Sequence, residues 1–223
     1  MKFAGVAFDL DGTLYPNFRL YFRLIPFLLK EHRLLRAFDK ARTRLRRTGD
    51  YGGNFYELQA QFMGEILGEA PDKVRERLEK LIYRGWEPHF KKIMLFSHVR
   101  ETLDAFRKNG IKMGLLSDFP PETKLENLKL TGYWEAVVSS EMTGRLKPDP
   151  ASFLELARKM GVPPEEILYV GNSVPYDVEG ARKAGMKAAL ICTRWKKPLI
   201  ASGDALPDFV FHDYRQLRDY VLN

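Results

Sequence analysis

Residues 6–16, VAFDLDGTLYP, end an apolar run in two carboxylates, Asp9 and Asp11, one residue apart. Neighbouring negative charges on one loop repel and gain nothing from packing, so a compensating cation is expected beside them. The run before them is uniformly apolar rather than alternating, as in a strand buried on both faces of a parallel sheet. Similar short runs recur at 111–117, 135–140, 167–170, 187–193 and 208–212. Helical patterns separate them, several opening on proline and stopping at glycine, as in PPETKLENLKLTG (120–132) and DPASFLELARKMG (149–161). Strand and helix in alternation imply right-handed crossovers and an α/β fold with a doubly wound, mainly parallel sheet.

One segment departs from this rhythm. Between Tyr15 and about Ser97 no strand is expected, only helices over roughly 18–47, 54–68 and 71–84, with breaks at Gly49, Gly52 and Gly53 and from Gly68 to Pro71. About 80 residues is too long for a loop. The expected organisation is an α/β core from 1–15 and 97–223, with a small helical domain, 16–96, inserted between its first and second strands.

Bulk properties narrow the class. At 223 residues and 45% hydrophobic content, one generous domain with an insertion is affordable, and the net charge of +7 favours anionic partners without naming any. The single cysteine, Cys192, excludes an intrachain disulfide and, in the run MKAALICT, reads as a buried small hydrophobe. No apolar stretch approaches membrane-spanning length, and the apolar run at 3–8 is too short for a signal peptide, so a cytoplasmic protein with no membrane partner is expected. The four histidines lack metal-ligand spacing. The aromatics Tyr133, Trp134 and Trp195 read as packing. The basic run KARTRLRR (40–47) reads as a solvated face. Its alternative, a surface steering phosphorylated substrates or touching nucleic acid, lacks the aromatic interleaving of single-strand binders, and no nucleic-acid partner is expected.

Ligands of doubly wound sheets bind beyond the carboxyl ends of the strands. Asp9 and Asp11 follow the first expected strand, Ser117 and Asp118 the second, Lys147 in RLKPDP the third, and Asn172 and Asp177 in GNSVPYD the fourth. Carboxylates, an amide, a hydroxyl and one lysine in one crevice match what a Mg²⁺-assisted phosphoryl site requires. An EF-hand also opens with alternating acids, but Gly12 stands at the fourth position of such a loop rather than the sixth.

In the order DLDGT, Ser117, Lys147 with KPDP, and GNSVPYDVEGARKAGM, the chain resembles the haloacid dehalogenase superfamily, whose helical cap is often inserted after the first motif. The resemblance implies a Mg²⁺-dependent phosphatase acting on a small phosphorylated metabolite through an aspartyl-phosphate intermediate. It implies Asp9 as nucleophile, Asp11 as general acid and base with its carbonyl on the metal, and Lys147 bridging Asp9 and the phosphate. Gly12 and Thr13 would shape the loop, Ser117 would bind a phosphate oxygen, and Asp9, Asp11, Asn172 and Asp177 would form the metal set. An acid at position 11 favours ester hydrolysis, because dehalogenating and phosphonate-cleaving relatives have no alkoxide to protonate. Two residues depart from the family pattern: Asn172 stands where an acid is usual, and Asp118 where Asn is frequent. A carboxylate at 118 would repel an anionic substrate, so it is expected to point away or to meet a substrate hydroxyl or amine. The rival functions are a phosphomutase with the same chemistry and a weakly active protein holding a polyanion. The residues leave the natural substrate and the oligomeric state open.

Overall fold

The computed structural model describes residues 2–49, 51, 54–192 and 206–223. The expected break at Gly52 and Gly53 and the packing role of Trp195 lie outside the described residues. Among the described residues six strands form one sheet: β1 (Gly5–Phe8), β2 (Lys112–Ser117), β3 (Ala136–Ser139), β4 (Ile167–Gly171), β5 (Lys187–Ile191) and β6 (Phe209–Phe211). Their order is β3-β2-β1-β4-β5-β6 and every pairing is parallel. The chain therefore reverses its direction of travel across the sheet at β1, which lies between β2 and β4. That reversal opens a crevice at the strand ends, where a ligand can sit.

Both sheet faces are covered, which is why the strands are apolar throughout. Val6 and Phe8 of β1 join one apolar cluster with Leu103 and Phe106 of α6 (Val99–Lys108) and Leu217 and Val221 of α10 (Tyr214–Leu222). Ala7 turns to the opposite face, among Phe153, Leu156 and Met160 of α8 (Pro150–Met160) and Ala181 of α9 (Glu179–Lys183). Helix starts follow local chemistry. Asp149 caps α8 by accepting from Ala151 N at 2.9 Å, with Pro150 at the first position; Asp213 and Gln216 form a capping box at α10.

The segment after β1 is helical: α1 (Asn17–Lys30), α2 (His32–Thr48), α3 (Phe55–Leu67) and α4 (Pro71–Leu78), the last running into a π-helical turn at Glu79–Tyr83, followed by the short α5 (Glu87–Phe90). The single helix expected over 18–47 is thus two, broken at Glu31, whose φ of −103° and ψ of 23° leave the helical region without glycine or proline there. Pro26 stays inside α1. The helices α2, α3 and α4 share a cluster of Leu34, Phe38, Leu45, Phe55, Met63 and Val74. Leu20 and Leu24 of α1, with Phe90 and Ile93, instead pack into the sheet's cluster. Among the described residues no helix is long and apolar enough to cross a membrane.

Phe153 is fully buried against Tyr169, with ring centroids 4.8 Å apart. Phe153→Ala should lower unfolding stability by about 3–5 kcal/mol in chemical denaturation. At the neighbouring exposed Leu154, alanine should change it by no more than about 0.5 kcal/mol. Equal losses at the two positions would contradict the assignment of faces.

Candidate active site

The site begins where β1 runs out. Asp9 N still donates to Val170 O at 2.9 Å, which places Asp9 beside the carboxyl end of β4. The chain then turns tightly, with Gly12 at φ +89°, a left-handed conformation that suits glycine. A Cβ on Gly12 would lie 2.1 Å from Asn172 Nδ2, so the missing side chain also admits the loop after β4. Tyr214 of α10 fastens the turn from below, its hydroxyl donating to Thr13 O at 2.6 Å.

Lys147 supplies the expected cation. Its Nζ donates to Asp9 Oδ1 at 2.7 Å and to Asp177 Oδ1 at 2.8 Å, and all three side chains are buried. Burial alone would push the lysine down, but Asp177 and Asp9 outweigh it and hold the ammonium charged well above the usual range. Burial pushes the Asp9 carboxyl up to about 7, against the pull of Lys147. Thr13 Oγ1 donates to Asp9 Oδ2 at 2.7 Å. Asp177 Oδ2 accepts from the backbone N–H groups of Asn172 (3.1 Å) and Ser173 (3.0 Å). Gly171 makes room for it, since a Cβ there would lie 2.3 Å from the Asp177 Cβ.

Asp11 carries a second ion pair. Lys124 Nζ, from α7 (Glu122–Leu128), reaches both carboxylate oxygens at 2.7 and 2.6 Å, and the Tyr15 hydroxyl donates to Oδ1. Asn172 Nδ2 lies 3.4 Å from Asp11 O. Ser117, at the end of β2, is buried, and its hydroxyl accepts from Phe119 N at 3.2 Å. Asp9, Asp11, Gly12, Thr13, Lys147, Asn172 and Asp177 are therefore one linked group, with Ser117 on the adjoining strand. With the Asn172 amide turned to present its oxygen in place of Nδ2, the donor set is all oxygen: two carboxylates, Asp9 and Asp177, the Asp11 carbonyl and Asn172 Oδ1. That chemistry fits a hard divalent cation such as Mg²⁺. No group of three or more His, Cys, Asp or Glu among the described residues could hold a metal unaided, so the amide and the carbonyl would have to complete the set.

Asp118 belongs to a different network. Its Oδ2 pairs with Arg46 at 2.9 Å and Arg42 at 3.3 Å, both from α2, and its Oδ1 accepts from Ser140 Oγ at 2.5 Å. Burial alone would raise this carboxyl; Arg42, Lys147 and Arg46 outweigh it and hold it at about 2. Arg42 is itself buried and also donates to buried Glu141, which accepts from the Tyr56 and Tyr83 hydroxyls at 3.3 Å each. Arg46 donates to Lys147 O at 2.9 Å and lies over the Tyr176 ring at 4.5 Å. So Arg42 and Arg46 are not on a solvated face; they tie α2 to three of the loops that carry the site. Neither they nor Lys124 are marked by any motif. The visible signal was an arginine at position 42 on the apolar side of α2, between Phe38 and Leu45.

Comparisons with known proteins bear on the family and the fold. A family model described as haloacid dehalogenase-like hydrolase matches residues 3–185. A glyceraldehyde 3-phosphate phosphatase of Methanopyrus kandleri is 28% identical, over 97% of this chain and 96% of the relative. A phosphoglycolate phosphatase of Escherichia coli is 29% identical, over 81% of this chain and 78% of the relative. Among solved structures, a HAD phosphatase from Thermococcus onnurineus superposes with a TM-score of 0.65 at 24% identity, covering 100% of this chain and 98% of the other. A 2-haloacid dehalogenase from Pseudomonas syringae gives 0.68 at 24% identity, with 97% and 96% covered. Both show the fold.

The Asp118 carboxyl, held below its ordinary value, contributes stability that is full above pH ~4 and is lost as pH falls towards 2. The contribution is on the order of 2 kcal/mol. Urea denaturation between pH 6 and 2.5 should therefore show a steeper loss in the wild type than in Asp118→Asn. Parallel profiles would contradict the pairing with α2.

Proposed function

The chain belongs to the haloacid dehalogenase-like hydrolase family, and from that premise we propose that it is a Mg²⁺-dependent phosphatase acting on a small phosphomonoester. The observation that carries this reading is Lys147 Nζ between Asp9 and Asp177, with Asp11 two residues further on at the same strand end. The phosphatase names of the two relatives support ester hydrolysis over dehalogenation.

Asp9 is the nucleophile. One of its carboxylate oxygens attacks phosphorus, the bond from phosphorus to the ester oxygen breaks, and an aspartyl phosphate forms. Lys147, already on Asp9 Oδ1, reduces the repulsion between the carboxylate and the incoming phosphate dianion. Thr13 holds the other oxygen and fixes the carboxylate plane. Asp11, protonated for this step, gives its proton to the leaving alkoxide. In the second step it takes a proton from water, whose oxygen attacks phosphorus and frees Asp9 and inorganic phosphate. Lys124, bonded to both oxygens of Asp11, fixes the orientation of that side chain at the crevice. Ser117 and the turn at Gly12 and Thr13 contact the phosphoryl oxygens. Asp9, the Asp11 carbonyl, Asn172 and Asp177 would hold Mg²⁺, which when bound supplies positive charge to the transferring phosphoryl group. The helical segment 16–96 serves as a cap, limiting bulk water at the crevice.

Asp9→Asn should lower phosphate release by on the order of 10⁴-fold or more while leaving the unfolding midpoint near that of the wild type or above it. The assay is phosphate release from a panel of sugar phosphates, short-chain phosphates and nucleotides, with and without Mg²⁺. Turnover like the wild type's would overturn the nucleophile assignment; isomerisation of a sugar bisphosphate without phosphate release would identify a mutase.

A further inference from the structure

A cavity of about 310 Å³ opens directly from Asp11 and Lys124, between residues 119–124 and the helical segment. At roughly 30 Å³ per water, that is the room of about ten water molecules, far more than a two- or three-carbon leaving group fills. Five aromatic side chains line it, Tyr56, Tyr83, Trp86, Phe90 and Phe119, together with Leu20, Ile82 and Pro120. The two tyrosine hydroxyls are committed to Glu141, so these residues offer the cavity ring surface rather than polar tips. The rings are also fixed in place. Tyr83 meets Tyr56 edge-on at 5.6 Å and Phe119 at 6.3 Å, and Phe119 is backed by the Arg42 guanidinium at 4.5 Å and stacked with Phe38 at 6.1 Å. A wall that is already ordered loses little entropy when it receives a ligand.

Charge in the lining points the same way. Lys124 is engaged by both oxygens of Asp11, and Arg84 Nε by Glu79 at 2.7 Å. Glu79 and Glu122 also line the cavity. A carboxylate on the leaving group would meet two acids there, and the described lining cations already have anionic partners.

We propose that the cavity selects phosphomonoesters whose alcohol carries an uncharged apolar body about the size of an aromatic ring, in preference to short or carboxylate-bearing alcohols. This rests on the phosphatase reading and narrows it. The Asp9–Lys147 end takes the phosphate, and the ring-lined end takes the alcohol.

The test compares kcat/KM for 2-phenylethyl phosphate, ethyl phosphate and phosphoglycolate in the presence of Mg²⁺. The first two leave as primary alcohols of similar acidity, so their ratio reports the cavity and not the ease of bond breaking. A preference for the phenylethyl ester over both others of about 30-fold or more, the scale of burying one phenyl ring, is expected. Trp86→Ala and, separately, Phe119→Ala should each cut the phenylethyl-to-ethyl ratio about tenfold; an undiminished ratio in both would contradict the proposal. Equal or better turnover of ethyl phosphate or phosphoglycolate by the wild type would overturn it and leave the phosphatase reading intact. No phosphate from any ester at saturating Mg²⁺ would defeat both.

Discussion

One buried ammonium organises the molecule's chemistry. Lys147 reaches the crevice from the loop after β3 and meets Asp9 after β1 and Asp177 after β4, residues separated from it by 138 and 30 positions. Without that cation, two carboxylates in a buried space would repel each other and one would take up a proton. With it they sit close together, and their remaining oxygens are held by Thr13 and by two backbone N–H groups. The doubly wound topology makes this possible, since it carries loops from distant parts of the chain to one edge of the sheet.

A second layer of charge connects this centre to the helices that cover it. Arg46 contacts Asp118, the Lys147 carbonyl and the Tyr176 ring, while Arg42 pairs with Asp118 and Glu141. Buried charges of this kind are costly to leave unpaired, so the network favours a single docking geometry for α2 over the strand ends. Glu141 carries the same constraint to the aromatic wall through Tyr56 and Tyr83. The shape of the cavity and the position of Lys147 are thereby coupled through two arginines.

Much of this was legible in the residues. Six apolar runs became six strands, because a strand covered on both faces leaves an unmistakable uninterrupted pattern. Residues 9, 147, 172 and 177 could be placed together once each was assigned to a strand end, since the topology alone brings those ends to one edge. The break at Glu31 was not legible: no glycine or proline marks it, and apolar residues continue on both sides. Lys124 and the arginines of α2 were hidden for another reason. Their partners lie 113, 99 and 72 residues away, and no periodicity or local motif encodes a pairing between a helix and a loop so far removed. The five cations of KARTRLRR (40–47) look alike until the fold shows that Arg42 and Arg46 face inward.

The bridge made by Lys147 can be measured apart from any reaction. A double-mutant cycle with Lys147→Met and Asp177→Asn, read by chemical denaturation at neutral pH, isolates the coupling between the ammonium and the carboxylate. A coupling of about 2 kcal/mol or more is expected for a buried, hydrogen-bonded pair. Additivity within about 0.5 kcal/mol would show that these groups do not interact in the folded protein, and would contradict the account at its centre.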